Sequence, residues 1–434
     1  MILFNGTIYP TSEQSRLLNA MEETINATLS EGRLLQEAVI RAIDRLGGML
    51  RAGELDRLIE QSGLADSMKQ MKGFSGLLSR EYLTYKLRTE LGDGFFEPWE
   101  TSAVCGLAGV SNIPMPLGTL FHIAAGNMDA LPAYTVVEGL LTGNVNILKL
   151  PQADNGLTMA ALEKLIEIEP SLAGYIYVFD TPSTDIAAMR RLAGMADGIV
   201  VWGGDAAVSA VRAMAPAGVR LIEWGHRLSF AYLSGNWRVK KQELASLAEH
   251  IVTTEQVLCS SCQTIFLDTD SMDEIEKFCG AFLPMLQTAR DVHPLTEIGA
   301  AAEITLKNYT AELEAAIAGH NRKRNPYAGR MCGLTVCEDS ELELSDLFGR
   351  VLVKRLPRAR MMSVLRRKKG TLQTAGLICD DGDRAALTDR LIRCGVNRVT
   401  SAGNMSAGFS GESHDGEYSL RRFVRIANAE YTAP

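Results

Sequence analysis

The 434-residue sequence lacks several signatures that would assign a function directly. It contains no G-x-x-x-x-G-K-S/T segment, which excludes a P-loop, and no G-x-G-x-x-G after a predicted strand, which argues against the usual Rossmann fingerprint. Its six histidines form no H-x-x-x-H or H-E-x-x-H spacing. Because zinc enzymes use such spacings, we predict no metal site.

Long apolar runs and an excess of positive charge are also missing. No apolar run reaches the roughly 18 residues of a membrane span, and the first residues, "MILFNGTIYPTSEQ", lack the basic and apolar regions of a secretory signal. The net charge of −8 argues against a nucleic-acid partner. The eight cysteines follow no regular disulfide framework, so we expect a soluble, cytoplasmic protein with reduced thiols.

The sequence pattern divides the chain into helical and mixed parts. Apolar residues recur at three- and four-residue steps from Leu17 to Leu29 and from Leu35 to Leu46, which predicts an N-terminal helical extension over residues 1–95. Short apolar runs then alternate with helical stretches, first over residues 96–250 and again over residues 251–405. Such runs, apolar on both faces and separated by helices, are typical of buried parallel sheets.

We therefore predict an α/β fold with two α/β domains. Residues 96–250 would form a doubly wound, Rossmann-like nucleotide domain, and residues 251–405 a second α/β domain. Residues 406–434 begin as a loop rich in glycine and serine. We expect them to form a tail that packs on the nucleotide domain or on a partner subunit.

A pair of glycines follows one predicted strand of the first series. In "VVWGGDAAVSAVRA", Gly203 and Gly204 stand between a strand and a helix. Paired glycines allow the backbone to approach a phosphate, and the N-terminus of the helix supplies free N–H groups. The same pair also occurs in ordinary tight turns, so both interpretations stay open at this point.

Two cysteines stand directly before the first predicted strand of the second series. In "EQVLCSSCQTIFL", Cys259 and Cys262 are three residues apart. A thioredoxin-like pair usually opens a helix after a strand, whereas here a helical pattern precedes the cysteines and a strand follows them. The remaining alternatives are two buried thiols that pack as small apolar groups and one nucleophile with a bystander.

Several segments carry a resemblance to a known superfamily. The stretch "FHIAAGNMDALPAYTVVEGLLTGNVNILKLP" resembles the part of the aldehyde dehydrogenases that runs from the oxyanion-hole asparagine to the cofactor-binding lysine. The shorter stretches "AGNMDALPAY", "LLTGNVNILKL", "CSSCQ" and "HDG" are similar to the LuxC-type fatty acyl-CoA reductases. The resemblance extends from Gly118 to Arg425 and implies an aldehyde dehydrogenase-like fold with a cofactor-binding domain and a catalytic thiol domain.

The resemblance implies three catalytic residues. Cys259 falls at the nucleophile of the superfamily, and Asn127 falls at the asparagine whose amide holds the oxyanion together with the N–H of the cysteine. Glu223 falls at the glutamate that acts as a base in hydrolytic members. The chain departs from the family pattern here, since "EQVLC" replaces the usual GQxC and "EWGH" replaces ELGG.

The resemblance also implies a nicotinamide cofactor and its contacts. The corresponding positions are the adenosine-ribose lysine, the glycine turn beneath the pyrophosphate, and the EIFGP segment at the nicotinamide ribose. In this chain they are occupied by Lys149, Gly203, Gly204, Asp346 and Phe348.

Gln152 bears on the choice between the two nicotinamide dinucleotides. It stands three residues after Lys149, where NAD-preferring relatives often carry glutamate. A carboxylate would repel a 2′-phosphate, whereas a neutral amide would not. We therefore expect NADP(H), with NAD(H) as the alternative.

The resemblance implies reduction of a long-chain acyl-CoA, or another acyl thioester, to the aldehyde through an acyl-cysteine intermediate. Oxidation of an aldehyde to the acid by the same cysteine is one alternative, and a non-catalytic scaffold that keeps the fold is another. The superfamily usually forms dimers or tetramers, so we expect a homo-oligomer. An acyl-transferring partner enzyme is an alternative to coenzyme A as the acyl donor.

Overall fold

The computed structural model describes most of the chain. The described residues are 1–61, 63, 72, 75–101, 109–124, 131–152, 154–295, 299, 301–302, 305–306, 309–310, 313 and 324–430. Within these ranges, no helix combines the length and the apolar character that crossing a membrane requires. Asn127 lies outside the described residues.

The described strands are β1 (Ile2–Phe4), β2 (Thr7–Tyr9), β3 (Trp99–Thr101), β4 (Val110–Pro116), β5 (Thr119–Ile123), β6 (Val145–Lys149), β7 (Ile176–Phe179), β8 (Gly198–Trp202), β9 (Arg220–Trp224), β10 (Leu228–Leu233), β11 (Cys262–Leu267), β12 (Arg324–Gly329), β13 (Cys332–Cys337), β14 (Arg350–Arg355), β15 (Leu372–Ile378), β16 (Arg398–Ser401) and β17 (Val424–Glu430). The described α-helices are α1 (Gln14–Ser30), α2 (Gln36–Ala52), α3 (Asp56–Gln61), α4 (Arg80–Leu91), α5 (Leu131–Leu141), α6 (Leu157–Ile168), α7 (Ile186–Gly194), α8 (Asp205–Met214), α9 (Lys241–Thr253), α10 (Met272–Val292), α11 (Met361–Leu365), α12 (Asp381–Cys394) and α13 (Ser419–Arg422).

The chain forms two compact units. The first comprises Met1–Gly225 and Phe409–Pro434, and the second comprises His226–Gly408. The second unit starts before the sequence-based boundary at residue 250, because β10 pairs in parallel with β11 and β15 rather than with the preceding strands. The helices of the N-terminal extension contribute Leu17, Met21 and Val39 to the core of the first unit.

The main sheet of the first unit has the strand order β2-β1-β7-β6-β5-β8-β9. Strands β5 to β9 run in parallel, and the central strands β6 and β7 are buried on both faces. The chain moves outward from β5 to β7 and then returns to place β8 on the other side of β5. This reversal makes the carboxyl ends of β5 and β8 a topological switch point, where doubly wound sheets bind their ligands.

Two additions to the first unit were not predicted as strands, although the tail was expected to pack on the nucleotide domain or on a partner subunit. The hairpin of β1 and β2 extends the main sheet, since β1 pairs antiparallel with β7. The tail strand β17 pairs with β4, which pairs with β3, to form a separate three-stranded antiparallel sheet.

The second unit contains one sheet with the order β12-β13-β14-β11-β10-β15-β16. All its neighbouring pairs are parallel except β12 with β13. Helix α10 packs its apolar stripe, which includes Phe278 and Phe282, into the same core as β11 and β13. Strand β11 is the central strand of this sheet. The segment that leads into it contains Cys259, so the position of that segment is set by the sheet.

Candidate active site

Cys259 lies in the turn that joins α9 to β11. The Ser261 N–H donates to the Leu258 carbonyl at 3.0 Å, and the Leu258 N–H donates to the Ser261 hydroxyl at 3.2 Å. The Ser229 hydroxyl donates to the Cys259 carbonyl at 2.7 Å and accepts from the Thr374 N–H at 3.0 Å, so strands β10 and β15 both anchor the turn. Among the seven described cysteines Cys259 alone is exposed.

Cys262 has the opposite environment. It begins β11, is fully buried, and its thiol donates to the Thr264 carbonyl at 3.5 Å. Burial raises the pKa of this thiol to about 12, so it stays protonated at neutral pH. Its backbone N–H donates to His250 Nε2 at 3.3 Å, and burial lowers the pKa of that histidine to about 4, which keeps the ring neutral and able to accept.

Two buried glutamine side chains form hydrogen bonds that hold the turn. Gln256 donates to the Cys262 carbonyl at 2.8 Å and to the Ser345 hydroxyl at 2.9 Å. Gln263 donates to the Gln256 carbonyl at 2.8 Å and accepts from the Ser345 hydroxyl at 2.7 Å. These bonds join the segment before Cys259 to the segment that leads into Asp346. The glutamine of the nucleophile motif therefore has a structural role here.

The loop of Asp346 and Phe348 has an unusual backbone. Leu347, Phe348 and Gly349 have φ values of 63°, 51° and 82°, and the Phe348 N–H donates to the Glu255 carbonyl at 2.9 Å. The half-exposed Asp346 carboxylate lies 3.9 Å from Arg350 Nε. The structure thus brings the predicted nicotinamide-ribose segment into direct contact with the segment that precedes Cys259.

Lys149 and Gln152 lie at the carboxyl end of β6. Lys149 is buried, and this burial lowers the pKa of its ammonium, an effect that Asp180 partly opposes. Gln152 follows in the next turn and is exposed. Lys149 pairs with Ile123, and the two residues are the last ones of β6 and β5. Lys149 therefore lies at the carboxyl ends of the parallel strands, where the switch point is.

Gly203 and Gly204 join β8 to the N-terminus of α8, as the sequence predicted. The Gly203 N–H donates to the Trp224 carbonyl at 3.1 Å, which fixes the turn against β9. A Cβ added to Gly204 would meet no atom within 4 Å, so there is open space before the first turn of the helix. The open space, the N–H groups of the first helical turn and the switch point together fit the phosphates of a dinucleotide.

Glu223 is engaged by a neighbouring arginine. It lies in β9, and both its carboxylate oxygens accept from Arg212, from Nε and Nη2 at 2.5 Å each. This fork-like pair directs both carboxylate oxygens towards Arg212. The geometry therefore does not favour Glu223 as a free general base.

The "HDG" segment lies beside the carboxyl ends of strands β8 and β9 in the first unit. The His414 ring centroid is 4.9 Å from that of Trp202 and 4.8 Å from that of Trp224. His414 Nε2 also lies 3.7 Å from the buried Asp415 carboxylate. The segment thus packs on the ends of β8 and β9, next to the glycine turn.

The predicted site residues that the structure describes fall into two groups, one in each unit. Within the first unit Lys149, Gly203, Gly204 and Glu223 share the carboxyl edge of one parallel sheet. Within the second unit the strained loop of Asp346 and Phe348 is bonded to the segment that leads to Cys259.

Sequence reasoning missed the guanidinium of Arg290, which the structure pairs with Glu255, four residues before Cys259. A signal for it was present, because Arg290 continues the buried stripe of Phe278, Phe282 and Leu286 on α10 at four-residue spacing. A charged residue in an apolar stripe is rarely buried unless it is paired. Arg290 is buried, and its partner is Glu255.

The sequence model of a known family matches this chain. It is described as acyl-CoA reductase (LuxC), and it matches residues 34–426. The chain belongs to the LuxC family. That match includes both groups of site residues described above.

Individual relatives share a low sequence identity with this chain. The long-chain acyl-protein thioester reductase 2 of Photobacterium leiognathi is 25% identical over 162 residues, which are 37% of this chain and 34% of that protein. The long-chain acyl-protein thioester reductase of Aliivibrio fischeri is 21% identical over 327 residues, which are 73% of this chain and 64% of that protein. The chain thus spans about one third to two thirds of the length of these relatives.

Solved structures show the fold of this LuxC-family chain. A bifunctional proline utilization A protein matches with a TM-score of 0.71 and 16% identity, over 98% of this chain and 45% of that chain. An NAD-dependent benzaldehyde dehydrogenase from Corynebacterium glutamicum matches with a TM-score of 0.67 and 14% identity, over 96% and 90%. The chain has the aldehyde dehydrogenase fold, which confirms the fold predicted from the sequence.

Proposed function

We propose that the protein reduces a long-chain acyl thioester to the aldehyde, with Cys259 as the nucleophile and NADPH as the hydride donor. One observation carries this proposal. In a chain of the LuxC family, Cys259 is exposed in a turn before a buried strand, whereas the other described cysteines are buried. A thiolate is both a good nucleophile and a good leaving group, which thioester reduction requires.

The proposed chemistry has two steps. The Cys259 thiolate attacks the acyl carbon, the bond from that carbon to the donor sulfur breaks, and the donor thiolate leaves and takes a proton from water. When bound, the reduced nicotinamide would supply a hydride to the acyl carbon. The tetrahedral oxyanion then collapses, the bond to the Cys259 sulfur breaks, and the aldehyde leaves while the thiolate is regenerated.

Oxyanion stabilisation is assigned to Asn127 in this proposal, on the basis of the resemblance. Negative charge develops on the acyl oxygen in both steps, and an amide N–H aimed at that oxygen stabilises it. The N–H of Cys259 itself would be the second donor. Lys149, Gly203 and Gly204 would hold the dinucleotide, and Asp346 with Phe348 would hold its nicotinamide ribose.

The ion pair of Glu223 favours thioester reduction over hydrolytic aldehyde oxidation. Deacylation by water needs a carboxylate that is free to accept a proton, and Arg212 holds both Glu223 oxygens. Reduction exchanges the acyl group between two sulfurs and needs no such base. We assign Glu223 no proton transfer in the acylation step.

The acyl donor is proposed as a long-chain thioester of coenzyme A or of an acyl-transferring partner enzyme. The family description refers to acyl-CoA, whereas the relatives from Photobacterium leiognathi and Aliivibrio fischeri are named for acyl-protein thioesters. Both donors present the same reacting group, a carbonyl bonded to sulfur. The chemistry at Cys259 is therefore the same for either.

The function is tested by mixing the purified protein with a long-chain acyl-CoA and NADPH. We expect loss of the reduced-nicotinamide absorbance with formation of one aldehyde per cofactor oxidised. Faster reaction of an aldehyde with NADP⁺, with the free acid as product, would instead support the oxidation. If titration detects no cofactor binding, the scaffold is the better description.

Replacing Gln152 by glutamate is expected to raise the KM for NADPH about tenfold and to leave the KM for NADH nearly unchanged. The reason is repulsion between the new carboxylate and the 2′-phosphate. Gln152 is exposed, so the change should not affect folding. Initial rates with both cofactors provide the measurement, and Gln152→Asn is the neutral control. Equal effects on both cofactors would mean that Gln152 does not face the 2′ position.

We also propose that the protein works as a homodimer or homotetramer in the cytoplasm. The superfamily resemblance supports the assembly, and the eight cysteines, which follow no regular disulfide framework, support a reducing compartment. Sedimentation of the purified protein tests the assembly. A monomer that retains full activity would contradict it.

A further inference from the structure

We propose that Arg290 is a positioning residue that holds the Cys259 turn and the Asp346–Gly349 loop in one arrangement. The inference deepens the proposed function and rests on it for the roles of Cys259 and of the loop. Arg290 lies on α10, outside both segments, and no sequence motif includes it. Its side chain is 3% exposed, so it acts from the interior of the second unit.

One guanidinium reaches both segments. Its two terminal nitrogens donate to the Glu255 carboxylate at 2.6 Å and 2.7 Å, in a fork-like pair. Nη2 also donates to the Phe348 carbonyl at 3.1 Å, and Nη1 donates to the His293 carbonyl at 3.3 Å. Glu255 precedes Cys259 by four residues, and Phe348 is part of the loop.

Both segments need external support. Seven described non-glycine residues have positive φ, and four of them are Glu255, Gln256, Leu347 and Phe348, at 47°, 60°, 63° and 51°. Residues with a Cβ persist in this conformation only when the surrounding structure holds them there. Arg290 bonds to one residue of each strained pair, and the Phe348 N–H bond to the Glu255 carbonyl joins the pairs directly.

Gly349 shows how closely Arg290 packs under the loop. A Cβ added to Gly349 would lie 2.6 Å from Arg290 Nη2, and the residue has a φ of 82°. Glycine at this position thus leaves the space that the guanidinium occupies. A lysine could not form the same set of bonds. Its single ammonium nitrogen cannot donate in parallel to both Glu255 oxygens and also reach the Phe348 carbonyl.

The experiment compares Arg290→Met, Arg290→Lys and Glu255→Gln with the unchanged protein. The first readout is the rate of Cys259 alkylation by iodoacetamide across pH, resolved by peptide mass, without substrate or cofactor. The second is kcat and KM for acyl-CoA and NADPH, and the third is Tm. Arg330→Met is the matched control. It removes an exposed arginine whose partner, at 2.6 Å, is Asp291, the residue after Arg290 on α10.

We expect Arg290→Met to shift the pH profile of alkylation and to lower kcat about 10- to 100-fold, because a displacement near 1 Å at a reacting group has effects of this size. Arg290→Lys should recover part of the loss. Glu255→Gln should resemble Arg290→Met, and the double variant should lose no more than the worse single variant. Arg330→Met should match the unchanged protein.

Unchanged alkylation and kcat in a folded Arg290→Met protein would overturn the inference, as would a kcat loss with an unaltered alkylation profile. If Arg290→Met does not fold, Glu255→Gln decides, since Glu255 is partly exposed and its replacement removes the same fork. Alkylation is independent of the reaction. A protein whose Cys259 responds to Arg290 but reduces no thioester would therefore refute the proposed function and leave the positioning role intact.

Discussion

Replacing Cys259 by alanine is expected to lower the rate of acyl transfer by at least about 10³-fold, because no other exposed thiol is present in the part of the chain that the structure describes. The measurement is the mass of the intact protein after incubation with long-chain acyl-CoA. The unchanged protein should gain one acyl group, and Cys259→Ala should gain none. Peptide mapping then identifies the acylated sulfur.

Cys262→Ala is the matched control for Cys259→Ala. Its thiol is buried, and its raised pKa keeps it protonated, so its loss should reduce acyl transfer less than about threefold. The replacement leaves a small cavity in β11, which should cost about 1–2 kcal/mol of unfolding free energy. Equal loss of acylation in the two variants, or greater loss in Cys262→Ala, would contradict the assignment of the nucleophile.

The burial of these two cysteines could not be read from the sequence. Their spacing and the following apolar run predicted a strand, and the strand is present as β11. The sequence does not give the register of the turn before the strand, and a shift of one residue reverses the side on which a side chain lies. The resemblance selected Cys259, and the structure supplied a physical reason to prefer it.

The central strands were predictable because their local sequence is consistent with their surroundings. Strands such as β7 and β8 are short apolar runs that are buried on both faces, with helices between them. The Gly203–Gly204 turn after β8 was predictable for the same reason, since it separates a buried strand from an amphipathic helix. Local pattern and tertiary environment agree at these places.

The peripheral strands were not predictable, because their partners are distant in sequence. Strand β1 has three residues and pairs with β7, which lies more than one hundred and seventy residues later. Strand β17, "VRIANAE", alternates apolar and polar residues too weakly to be distinguished from a tail, and it becomes a strand by pairing with β4. Pairing with a distant strand leaves little local signal.

The polar side of the site was the least predictable part. The resemblance placed Glu223 as a base, but it contains no information about Arg212, which lies on a different element and engages both carboxylate oxygens. Arg290 presents the same difficulty, because its partner Glu255 lies 35 residues away. Side-chain pairing between elements depends on how helices pack on the sheet, and periodicity reports only which face is buried.

At Gly139 local propensity and tertiary packing disagree. It lies in helix α5, where alanine should be more favourable than glycine by about 1 kcal/mol. The space beside it is occupied, because a Cβ on Gly139 would lie 1.8 Å from Asn146 Oδ1. Asn146 is fully buried in β6 and donates to the carbonyls of Asn144 and Tyr175 at 2.7 Å and 3.4 Å.

Asn146 is also part of a buried polar chain in the core of the first unit. Its Oδ1 lies 3.0 Å from His122 Nε2, and His122 Nδ1 lies 2.9 Å from the Thr135 hydroxyl. Burial lowers the pKa of His122 to about 4, so the ring is neutral at pH 7. Since Asn146 Oδ1 can only accept, His122 carries its proton on Nε2 and accepts from Thr135. Displacing Asn146 would leave buried partners unpaired.

Gly139→Ala is therefore expected to lower the unfolding free energy by about 3–5 kcal/mol, the sum of overpacking and lost buried hydrogen bonds. Gly194→Ala is the matched control, since it also lies in a helix of the first unit and its Cβ would meet no atom within 4 Å. It should be neutral or stabilise by up to about 1 kcal/mol. Urea unfolding of both variants measures the difference. A neutral or stabilising Gly139→Ala would show that helix propensity outweighs the contact with Asn146, and that the amide can move without breaking its bonds to the β5 histidine.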